Sequence, residues 1–141
     1  MRTPLKRISK FIGRVLAAVS VVVFFFVGTL YLLEIFDQVS RDKQRREDVE
    51  QIKRGLDRFY KAIGTYPALP DNPATDLKMA LVDSGYLKSI PVDPLPPQQY
   101  RYVSSGPSYG ILVSLERSGK CLTGVGTAKT GWWFQPPDCG F

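Results

Sequence analysis

Few residues of this chain are equipped for covalent chemistry. Its 141 residues include no histidine, so the commonest general base and metal ligand is missing, and with it every Ser/His or Cys/His nucleophile pair. The only cysteines, Cys121 and Cys139, are too few and too far apart for a zinc set. An even count in a small domain instead suggests a disulfide made in an oxidising compartment, the other reading being two unrelated reduced thiols. Asp93 sits in the run Pro91-Val92-Asp93-Pro94, where an Asx-type turn residue is expected rather than a catalytic acid. Trp132 and Trp133 alternate across a predicted strand, which puts one ring in the core or an edge and offers the other as a contact for a glycan or partner. No enzyme, catalytic residue, cofactor or metal site is expected.

The elements that position these residues begin with residues 15–33, an uncharged run rich in Val, Phe, Leu and Ala between Arg14 and Glu34. At about 1.5 Å of rise per residue, such a helix covers roughly 28 Å, close to the hydrocarbon thickness of a bilayer. The run exceeds a signal-peptide core, and no small-x-small site follows it before Glu34, so an uncleaved anchor is expected. The lipid bilayer is thus the first expected partner. The chain divides into a basic tail at 1–14, a transmembrane helix at 15–33 and a domain at 34–141.

The formal charge of +6 is unevenly placed: Arg2, Lys6, Arg7, Lys10 and Arg14 supply +5 with no acid among them. That basicity is a topology signal, and no nucleic-acid face is expected. The tail should stay cytoplasmic and the domain should lie outside. Arg41, Lys43, Arg45 and Arg46 lessen the contrast across the span, and the cysteine pair decides it. The expected location is a bacterial inner membrane, crossed once, with the C-terminal domain periplasmic or extracellular.

No proline occurs between Pro4 and Pro67, so the helix can continue beyond the span. Val49, Ile52, Leu56, Phe59 and Ile63 recur at steps of three and four, a single apolar stripe that another layer must cover. Asp42, Arg46, Glu50 and Arg54 alternate in sign four apart and are expected to form a solvated face. Gly55 is expected where the covering layer approaches closely. The helix should stop at Gly64, with Pro67 following.

Beyond it, Asn72 is expected to cap a short helix with Pro73 first, Leu77, Ala80 and Leu81 inward, and Gly85 at its end. Residues 90–94 should be extended. Residues 100–104 and 109–115 predict a hairpin whose Tyr109, Ile111, Val113 and Leu115 lie on the helical stripe. After Arg117 only residues 132–134 look like a third strand. The fold class is therefore α+β: a long N-terminal helix, transmembrane then amphipathic, packed on a small antiparallel sheet.

The apolar helix running into an amphipathic one, then Gly64-Thr65-Tyr66-Pro67, Gly85-Tyr86-Leu87, Ile90-Pro91-Val92-Asp93-Pro94 and Tyr-rich strands, resembles a type IV pilin-like protein over residues 11 to about 116. The major pseudopilins of type II secretion are the nearest likeness. The resemblance implies a pilin-like head and N-terminal helices that pack side by side in a filament, with other pilin-like or secretion-machine subunits as partners. Family precursors carry a Gly before Phe or Met at the cleavage site and a Glu within the apolar run. Here Gly13 precedes Arg14, and no acid lies in the run. The chain is therefore expected to keep its N-terminus and to act alone, as a small homo-oligomer or as a minor partner. The major pseudopilins also hold calcium with clustered acids, whereas this chain has only Asp138 after Arg117. The expected function is a structural or assembly subunit of a type II secretion or type IV pilus-type machine. The alternative is a non-polymerising anchored module whose head binds an envelope partner.

Overall fold

The proline-free stretch does fold as one element. In the computed structural model, which describes residues 4–130 and 135–141, helix α1 runs unbroken over Pro4–Ile63. The chain falls into two units, Met1–Asp37 and Gln38–Phe141.

In the first unit, side chains 12–34 are all exposed, including Phe24, Phe25 and Phe26. The helix is long and apolar enough to cross a membrane. Its few polar groups are served from within: the Ser20 hydroxyl donates to the Leu16 carbonyl at 2.9 Å and that of Thr29 to Phe26 at 2.7 Å. Such internal bonding is what a hydrocarbon setting requires.

In the second unit, residues 38–63 of α1 pack on a four-stranded antiparallel sheet, ordered β1 (Leu69–Pro73), β2 (Arg101–Ser104), β3 (Tyr109–Leu115) and β4 (Gly119–Val125). The predicted stripe faces it: Val49, Ile52 and Leu56 are fully buried against Tyr102, Tyr109, Ile111 and Val113. Phe59 is half-buried, its ring edge-on to Tyr86 at 5.5 Å. Ile63, expected in the stripe, is 56% exposed. It belongs to the last turn, where Tyr66 folds back to stack on Tyr60 at 4.6 Å and leaves Ile63 uncovered. Gly64, at φ +83°, ends the helix in the left-handed conformation that glycine adopts without strain, and its N–H donates to the Tyr60 carbonyl at 2.7 Å. The close approach expected at Gly55 is made by Leu81 and Leu87, which leave room for little more than a methyl group.

Three local expectations are corrected. Residues 69–73, taken for a loop leading to a capped helix, form β1, an edge strand, where Pro70 and Pro73 are tolerated because no further strand needs their N–H. The helix at 74–82 is a 3-10 turn followed by a π turn, and Asn72 does not cap it. The Asn72 amide donates instead to Asp76 at 2.7 Å, while Leu77 and Leu81 face inward as expected. The third correction is β4, unforeseen because its glycines suggest a loop; it pairs with β3 through seven positions, from Tyr109↔Val125 to Leu115↔Gly119. Residues 132–134, predicted as a strand, lie outside the described residues.

The C-terminal segment protects the free edge of β4. The Leu122 N–H donates to the Pro137 carbonyl at 2.8 Å, and that of Cys139 to Leu122 at 3.0 Å. Cys121 and Cys139 form the disulfide, and the Thr123 hydroxyl donates to the Phe141 carbonyl at 3.1 Å. Closing a loop of this length stabilises by roughly 3 kcal/mol in the chain-entropy model. Cys139→Ala is expected to lower stability by about that amount. Because β4 keeps its pairing with β3, faster amide exchange should be confined to residues beyond Val125 and to the Leu122 N–H, whose acceptor is Pro137. Equal loss of protection throughout β3 and β4 would show that the bond holds the sheet itself.

Candidate functional site

The apolar stripe of α1 does not begin at Val49. Carried back by the same steps of three and four, it reaches Arg45 and Asp42, and both are buried, Arg45 at 0% exposure. A guanidinium in such a place needs partners on every side. Arg45 has them: Nε and Nη2 grip the two oxygens of Asp93 at 2.8 and 3.0 Å, and Nη1 donates to Asp42 Oδ1 at 2.9 Å and to Glu116 Oε1 at 2.8 Å. Arg41, one turn earlier, forms a second bidentate pair with Glu116, both bonds at 2.7 Å.

Backbone groups complete the cluster. Asp42 accepts the N–H of Glu116 at 2.8 Å and of Arg117 at 3.1 Å, fastening the β3–β4 turn to α1. Asp93 accepts the Leu95 N–H at 2.9 Å, which is the expected Asx turn, while its carboxylate also clasps Arg45. Proline on either side of the Val92-Asp93 pair makes this loop stiff enough to present that carboxylate. Helix, loop and turn are thus held at one guanidinium. Asp42, expected on a solvated face, is buried because this cluster needs its charge, whereas Arg46 and Arg54 of the same pattern are exposed.

The electrostatics follow the geometry. Arg41, with a lesser contribution from Arg45, lowers the Glu116 carboxyl from its ordinary 4.5 to about 2. Asp93 foremost raises the Arg45 guanidinium above its already high value. Beside the cluster, the Tyr100 hydroxyl donates to Asp48 at 2.8 Å; burial raises both groups, and in Tyr100 the Asp48 carboxylate raises it further. With a folded value below the unfolded one, Glu116 contributes stability that is present above about pH 4.5 and is lost as pH falls toward 2. Asp48, shifted upward, works in the opposite direction. The denaturation midpoint should therefore fall between pH 5 and pH 3, roughly the range the linkage sets, and Glu116→Gln should flatten that fall. An unchanged acid slope in the variant would show that another carboxylate governs it.

This arrangement is a clamp: each of its charges is matched within it, and Arg45 is wholly buried. A recess of about 460 Å³ beside β1 is lined by Ala68, Leu69, Pro70, Val103, Ser104, Ser105, Thr127 and Ala128, none of them ionisable. A second, of about 510 Å³, lies over the clamp and is lined by Val39, Asp42, Lys43, Arg46, Arg117 and Ser118. Among the described residues no group of three or more His, Cys, Asp or Glu side chains is placed to hold a metal ion.

Of the residues singled out from sequence, Cys121 and Cys139 are brought together as a disulfide. Arg14 and Glu34 are exposed on α1, bounding the apolar run. Trp132 and Trp133 lie outside the described residues. Arg45, Asp42, Arg41 and Glu116 escaped the sequence reading as a site. The available signal was Arg45 standing four residues before Val49 on the buried stripe, with Asp93 the sole acid between Asp83 and Glu116. In comparisons with family models, curated proteins and solved structures, nothing matches this chain.

Proposed function

We propose that the chain is a single-pass, membrane-anchored, pilin-like subunit that contributes to an assembly of the type II secretion or type IV pilus kind, with its head outside the cytoplasm. The observation that carries this reading is α1 itself. One unbroken helix has an exposed, uncharged stretch fit for lipid, followed by a stretch buried on a four-stranded sheet. The disulfide supports an oxidising compartment for the head, and the acid-free basic tail supports a cytoplasmic N-terminus. Exposed apolar helices suit side-by-side packing in a membrane. Arg14 argues against a long homopolymer, because a cation at the edge of the run reaches lipid phosphates and cannot take the place of an acid that registers neighbouring subunits.

A photo-crosslinking residue in place of Phe25, in cells making the full chain, tests the reading. The expected adducts join this helix to the apolar N-terminal helix of a second copy or of another pilin-like subunit. Adducts to lipid alone, from a chain that is monomeric after detergent extraction, would overturn it in favour of an anchored, non-assembling module. Regular filaments from the purified protein, or loss of residues 1–13 with a methylated new N-terminus, would overturn the argument from Arg14.

A further inference from the structure

The recess over the clamp is rich in cations. Its walls carry three exposed cations, Lys43 and Arg46 from α1 and Arg117 from the β3–β4 turn, with the Ser118 hydroxyl beside them. The acid among its lining residues, Asp42, is already engaged by Arg45 and by the N–H groups of Glu116 and Arg117. The bonds that neutralise Asp42 also fix the turn, and so place Arg117 opposite Lys43 and Arg46. Lys43 is paired with Glu47 at 3.7 Å, but both side chains are well exposed, and such a pair exchanges partners at little cost. Arg46 is steadied from the C-terminus, its guanidinium lying 5.2 Å from the centre of the Phe141 ring. A planar guanidinium so held suits a phosphate, which accepts two parallel N–H bonds from it.

We propose that this groove binds the phosphate of an acidic lipid headgroup. The source is chosen by position in the sequence: the lining begins at Val39, six residues beyond Leu33, where a membrane-spanning run ends. Val39, Lys43 and Arg46 are all residues of α1, the helix that also contains that run. Basic residues just beyond a span gain from an anionic surface, even with Glu34 and Asp37 in between. The inference rests on the membrane-anchored part of the proposed function.

Native mass spectrometry of the full chain in neutral detergent tests it, with phosphatidylglycerol and phosphatidylcholine of matched acyl chains as probes. The expected result is a preference of about ten-fold or more for phosphatidylglycerol, weakened about five-fold by each of Lys43→Gln, Arg46→Gln and Arg117→Gln. Three exposed cations elsewhere on the head, replaced together as Lys61→Gln, Lys78→Gln and Lys88→Gln, should leave that preference intact. Equal retention of the two lipids, or equal loss in both variant sets, would overturn the proposal. Displacement of the lipid by an equal concentration of glycerol 3-phosphate would overturn the lipid source in favour of a soluble phosphate. Release of the chain from cell membranes by alkaline carbonate would overturn the anchored reading separately.

Discussion

Replacing Arg45 with methionine is expected to cost the head about 3–5 kcal/mol, the largest loss from any single change outside the apolar core. The side chain is wholly buried, and its removal leaves the Asp93 and Asp42 carboxylates without their cation and Glu116 with Arg41 alone. A desolvated, unpaired carboxylate is penalised far beyond the loss of a hydrogen bond. A domain of this size has about 5–15 kcal/mol in total, so the variant should sit near its unfolding threshold. Three segments are joined at this one group, and amide exchange should rise together in residues 91–95 and in the β3–β4 turn. The check is the denaturation midpoint of the full chain in mild detergent, followed by the near-ultraviolet dichroism of the packed Tyr66, Tyr109 and Tyr102 rings. Adding Asp93→Asn and Asp42→Asn to Arg45→Met should recover part of the loss, because the stranded charges go with their partner. A cost below about 1 kcal/mol, typical of an exposed pair, would mean that water reaches the cluster.

Leu56→Ala is expected to cost about 2–5 kcal/mol, the range for a fully buried leucine whose neighbours collapse only partly into the space. Leu56 lies at the centre of the helix-to-sheet core, with Ile52 before it and Tyr66, Leu77 and Leu81 among the other buried members. Two comparisons on the same helix make the test specific. Arg54→Ala, on the exposed face, should change stability by under about 0.5 kcal/mol. Ile63→Ala should do the same, although periodicity alone places Ile63 in the stripe, because its side chain is 56% exposed. A large loss at Ile63 would show that another surface covers the end of α1.

These variants also mark where the sequence was legible. Hydrophobic periodicity located Val49, Ile52 and Leu56 because a helix facing a sheet must repeat its apolar contacts every three or four residues. Proline and glycine placed the end of α1 for steric reasons that hold in any fold. Tyr109, Ile111, Val113 and Leu115 were assigned to the inner face because strand side chains alternate. The strands β1 and β4 were illegible for a different reason. Prolines in β1 and glycines in β4 read locally as loops, and each strand is held by its partner strand and, for β4, by the C-terminal segment. The clamp was hidden by chemistry rather than by distance. Charges four apart on a helix resemble a solvated face, and only the carboxylates arriving from Asp93 and Glu116 make burial of Arg45 affordable. The disulfide was readable because the chain has only one pair to make.

Central to the proposed function is that one helix passes through a membrane, with its head on the far side. Intact cells with a permeable outer barrier, treated with a membrane-impermeant amine reagent and mapped by peptide mass, test this most directly. Lys61, Lys78 and Lys88 are exposed on the head, while Lys6 and Lys10 belong to the basic tail. The account predicts modification of the three head lysines, with Lys6 and Lys10 reacting only after the membrane is dissolved. Modification of Lys6 and Lys10 in intact cells, with the head lysines protected until lysis, would contradict it.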